Sequence, residues 1–128
     1  MSVRIVLLST AALLMMIGAV GYTFNVVPDL HGDLVEIGVR PSVLGGTVLH
    51  LYFAAVAMFG FTLIVAGAAI QAMRGSAPAR LPLVVIAVVY TAFGIAAFSR
   101  SHNPHHAGPI AMGVLLGAAL AIPHSPRA

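Results

Sequence analysis

The chain of 128 residues has no cysteine, no lysine and only three carboxylates, Asp29, Asp33 and Glu36. Without cysteine there are no disulfides, thiolate metal sites, iron–sulfur clusters or thiol redox chemistry. Charged residues make up 7% of the chain and apolar ones 60%. A soluble domain carries about a quarter charged and about half apolar residues. That shortfall, with a mean hydropathy of +1.05, excludes an ordinary soluble globular domain and a disordered chain. The six cations, all arginine, are scattered as Arg4, Arg40, Arg74, Arg80, Arg100 and Arg127. No basic cluster is present to hold nucleic acid. The absences therefore leave a membrane protein of one domain over residues 1–128, with the lipid bilayer as its first partner.

A membrane helix needs about 20 mostly apolar residues. Four uncharged runs qualify, at about 5–24, 42–73, 81–99 and 105–123. Pro28 and Asp29 are expected to end the first, and Pro123 the last. The second is longer than a bilayer needs, so tilting or projection is expected. Run length and Ala/Leu richness favour helices over barrel strands, which alternate over about ten residues. The first run is long for a secretory signal and lacks a small-x-small cleavage site, which predicts an uncleaved helix. The fold class expected is all-α, an integral membrane four-helix up-down bundle.

Arg4, Arg74, Arg80 and Arg127 fall on one side of that topology, Arg40 and Arg100 on the other. The positive-inside rule then puts both termini in the cytoplasm, in what reads as a bacterial inner membrane. Lipid does not drive helices together, but close packing at small residues does. Gly113 and Gly117 stand at GxxxG spacing in the fourth run. They are expected to pack within the bundle or to form a self-association face.

Three features carry candidate chemistry. First, Leu30, Leu34 and Ile37 recur at i, i+4 and i+7 between the acids. They predict a short interfacial amphipathic helix over Asp29–Ile37 in the first outer loop. Second, Arg100-Ser-His-Asn-Pro-His-His-Ala107 holds three of the six histidines. Asn103 and Pro104 suit the cap and first position of the last helix. His31, His102, His105 and His106, with Asp29 and Asp33, then lie on one outer rim. Zinc or copper accepts such nitrogen and oxygen ligands, although a solvated polar rim needs the same residues. Third, His50 lies about 12 Å into the second run at 1.5 Å per residue. An ionisable group there marks a cofactor or ligand position, or a structural hydrogen bond. Haem would require two imidazoles at one depth on facing helices, and His105 and His106 are expected above His50, a poor fit.

The length, the long first outer loop and a second run opening Gly45-Gly46-Thr47-Val48-Leu49-His50-Leu51-Tyr52 resemble the small four-helix bacterial membrane proteins of the DoxX-like group. The resemblance implies the four-helix architecture; it carries no residue role and no activity. A multidrug-type exporter would place a carboxylate in its first span, and a glutathione-dependent membrane enzyme would place Arg and carboxylates within its spans. Neither pattern is present. The function expected is a non-enzymatic accessory or assembly component of a membrane complex, partnered by another membrane protein. The alternatives are a metal or haem binder and a small-molecule binder or enzyme with a cavity between the helices.

Overall fold

A computed structural model describes residues 2–123. Among these residues every regular element is a helix, and there are no strands. The elements are α1 (Val3–Gly21), a π-helical turn (Tyr22–Val26), α2 (Val27–Glu36), α3 (Pro41–Met73), α4 (Arg80–Ser101), a 3-10 turn (Pro104–His106) and α5 (Ala107–Ala121). Three helices are long and apolar enough to cross a membrane: the continuous Val3–Glu36, then α3 and α4. α5 has 15 residues, about 22 Å at 1.5 Å per residue, and the 3-10 turn before it adds about 6 Å. Arg127, counted above for topology, lies outside the described residues.

The first helix does not end at Pro28, and Asp29–Ile37 is not a separate interfacial helix. α1, the π-turn and α2 form one rod of 34 residues. The reason lies in the turn. Val27 N–H donates to Tyr22 O, five residues back. In that shifted register the next donor is position 28, a proline without an N–H. A widened turn therefore absorbs the residue that would break a regular helix. The Thr23 hydroxyl donates to Ala19 O at 2.7 Å beside it.

The expected long first loop is accordingly four residues, 37–40. Gly38, at φ +74°, closes α2: Gly38 N–H donates to Val35 O at 3.0 Å and Val39 N–H to Leu34 O at 3.1 Å. Gly75, at φ +79°, closes α3 in the same way, with Gly75 N–H on Ala72 O and Ser76 N–H on Gln71 O. Both are Schellman ends, which need a left-handed residue at that position. Pro41 starts α3 at a position where its missing N–H costs nothing.

α1 packs on α3 and on α5, and α5 packs on α4. α3 and α4, though consecutive, meet only sparsely, and α3 does not meet α5. The core gathers Leu8, Ala11 and Met15 of α1, Val65 and Ala69 of α3, Leu83 and Ile86 of α4, and Leu116 and Ala119 of α5. Alanines dominate the buried face of α3, at Ala55, Ala68, Ala69 and Ala72, and small residues of this kind let backbones approach.

Candidate functional site

One end of the bundle joins the start of α1, the end of α3, the start of α4 and the end of α5. Arg80 Nη2 donates to Leu120 O there, at 3.2 Å. Arg4, Arg74 and Arg80 lie at this end. Arg4 is a residue whose burial was missed from sequence. It is 5% exposed, and its Nε has no hydrogen-bond partner. The signal was present: Arg4 stands four and seven residues before Leu8 and Ala11, so it occupies the core stripe of α1. All three carboxylates lie toward the opposite end, on α2.

Heights along the bundle follow from one close approach. A Cβ added at Gly18 would meet Met112 Cε at 3.2 Å and Met58 Cε at 3.9 Å. These three positions share a level. From it α2 climbs about 27 Å to Glu36 and α3 about 25 Å to Pro41. α4, levelled by Thr91 against Gly113, climbs only about 15 Å to Ser101. The α2–α3 hairpin thus overshoots α4 and the turn into α5 by about 10 Å at 1.5 Å per residue.

The sequence-selected polar residues lie on α2, on α3 and at the α4–α5 turn. Asp29, His31 and Asp33 are exposed on α2. His102 is exposed and caps α4 in the left-handed region at φ 53°. Its N–H donates to Phe98 O at 2.8 Å. Asn103 caps the next turn as expected, its Oδ1 accepting from His105 N–H at 3.0 Å, with Pro104 following. His105 is exposed and His106 half-buried. Among the described residues no group of three or more His, Asp or Glu side chains is close enough to hold a metal. The convergence of His31, Asp29, Asp33, His102, His105 and His106 on one site is therefore not formed. The physical reason is lateral: α2 continues the first helix and packs on α3, not on α4 or the turn into α5.

His50 is exposed, and its Nδ1 lies 2.6 Å from Gly46 O of its own helix. Its hydrogen bond is local rather than between helices. It sits about 12 Å above the Met58 level and His106 about 9 Å above the Met112 level at 1.5 Å per residue. The histidines are thus near one height, contrary to the expectation that His105 and His106 lie above. α3 and α5 nevertheless do not adjoin, so these imidazoles are not on facing helices.

The paired glycines separate. A Cβ at Gly113 would meet the Thr91 hydroxyl, Ala87 O at 2.7 Å and Thr91 N at 2.9 Å. Gly113 is the tight α4–α5 contact. Gly117 has nothing within 4 Å and opens into an outer apolar groove between α4 and α5, with Val88, Ile95 and Val114 on its walls. A second recess of about 260 Å³ lies in the seam between α3 and α4 near the arginine end. Tyr90 is buried in the core, edge-on to Phe61 with ring centroids 6.3 Å apart, and its hydroxyl has no partner.

No family model, curated protein or solved structure matches the chain.

Proposed function

We propose that the chain is an integral protein of a bacterial inner membrane, with the arginine end and both termini cytoplasmic. In this reading it serves as a non-enzymatic accessory or assembly component whose partner is another membrane protein. The orientation follows from charge: Arg4, Arg74 and Arg80 share one end against Arg40 and Arg100 at the other, and the end richer in basic residues favours the cytoplasm.

The observation that carries the role is the mismatch between helix length and bilayer. α3 has 33 residues, about 50 Å, against a hydrocarbon core of about 30 Å. Fitting it by tilt alone would need roughly 53°, beyond the observed range of about 0–40°. α4, with 22 residues and about 33 Å, needs only about 25° in the same bundle. The α2–α3 hairpin therefore stands out of the bilayer. It carries exposed Val35 (53%), Ile37 (74%) and Val43 (49%) beside the three acids. Apolar side chains in lipid need no explanation. The same side chains gathered above the bilayer mark a protein-binding surface.

The test is site-specific photocrosslinking in native membranes, from Val35 and from Val43 on the hairpin, with Val88 on the lipid-facing side of α4 as reference. Both hairpin positions should give an adduct of one common mass, and Val88 should give none of that mass. Only lipid adducts, or a mass of twice this chain, would overturn the accessory-component reading.

A further inference from the structure

The seam between α3 and α4 is the one place where consecutive helices fail to close. Leu63, Ile64 and Gly67 form one wall, Ala79 and Pro82 the other, and the buried Ala68 and Leu83 the floor. Gln71 is the single side-chain polar group in the lining, and it stands at the arginine end. The recess of about 260 Å³ falls below the roughly 300–1,000 Å³ of pockets that enclose a drug-sized ligand. It suits a single flexible chain lying along the seam, open on its membrane side.

The charges at its end select the head of such a molecule. Arg74 lies three residues past Gln71 and Arg80 two before Pro82, Arg4 stands at the same end of the bundle, and no carboxylate of the described residues does. Arg80 spends one N–H on Leu120 O, which leaves most of its five donors free. The buried Arg4 Nε has no partner at all. An unpartnered donor on a buried guanidinium is unfavourable, and an ionisable group on an interior helix face calls for a named partner. An apolar slot with Arg74 and Arg80 beside its end, and no carboxylate among the described residues there, is complementary to an amphiphile with an anionic head.

We propose that the α3–α4 seam binds an anionic phospholipid of the leaflet at the arginine end. One acyl chain lies along Leu63, Ile64 and Gly67, and the phosphate meets Arg74 and Arg80. The inference rests on the chain being membrane-embedded, but not on its having a protein partner.

The experiment is native mass spectrometry of the purified full chain in detergent micelles holding equal amounts of phosphatidylglycerol and phosphatidylcholine. One phosphatidylglycerol should be retained in preference. Arg74→Gln and Arg80→Gln should each lower that retention about fivefold, the weight of one arginine near a charged headgroup. Gly67→Leu should abolish it by filling the slot. Gly67 has nothing within 4 Å of an added Cβ, so a side chain starting there meets no backbone. Leu63→Gln, at a residue 66% exposed, removes the apolar wall without touching the core and should give the same loss. Circular dichroism of each variant reports whether the helices are intact. Equal retention of the two lipids would overturn the site. So would undiminished retention in helical Gly67→Leu and Leu63→Gln, or full displacement by inorganic phosphate.

Discussion

Gly113 and Gly117 are four residues apart on α5 and have different surroundings. At Gly113 an added methyl meets the backbone of α4 at Ala87 O and Thr91 N, atoms that move only if the helices separate. At Gly117 it meets open space. Gly113→Ala should therefore destabilise by about 1–3 kcal/mol, the usual range for overpacking. Gly117→Leu should leave the melting temperature unchanged. Thermal unfolding in detergent, followed by circular dichroism, checks both; a drop for Gly117→Leu with none for Gly113→Ala would reverse the assignment. From sequence the two glycines looked equivalent, because GxxxG spacing gives a shared helix face and not which part of it the neighbour covers. Arg4 illustrates the opposite case. Its place on the Leu8–Ala11 stripe was legible, but an arginine beside an N-terminus reads as a topology signal before it reads as a core residue.

At the scale of elements, the bounds of α3 and α4 and the Asn103–Pro104 start of the last turn were readable from uncharged runs and capping chemistry. The first helix was not. Pro28, Asp29 and Gly32 are each local signals against a helix, yet Val27 is buried at 1% exposure, α2 packs on α3, and the π-turn accommodates the proline. Tertiary packing thus outweighs propensity over Val27–Glu36. Two glycines in this region give opposite expectations. Gly32 lies within α2 with open space around it, so Gly32→Ala should stabilise by about 0.5–1 kcal/mol through helix propensity and reduced freedom of the unfolded chain. Gly38 has φ +74°, where an L side chain is strained, so Gly38→Ala should destabilise by about 1 kcal/mol or more. Chemical denaturation of the two variants beside the wild type measures the difference. Equal effects of the same sign would mean that α2 is not the continuous helix described.

For the whole molecule, what sequence could not supply is height. Helix lengths were roughly legible, but which residues stand level depends on contacts such as Gly18 against Met58 and Met112. Those contacts leave the hairpin standing past α4, while the packing of α2 on α3, and not on α4 or α5, keeps the acids and His31 apart from the histidines of the α4–α5 turn. The same heights put Arg4, Arg74 and Arg80 at one end, and the carboxylates with Arg40 and Arg100 toward the other. The chain has no cysteine, so any cysteine introduced is the sole thiol. The most direct measurement is labelling of single-cysteine variants by a membrane-impermeant maleimide, in intact cells and in inverted vesicles. Asp33→Cys and Val43→Cys should label in intact cells, Ser76→Cys only in inverted vesicles, and Val88→Cys in neither. Protection of Asp33→Cys and Val43→Cys in both preparations would contradict a hairpin that projects from the bilayer, and labelling of Ser76→Cys in intact cells would contradict the orientation.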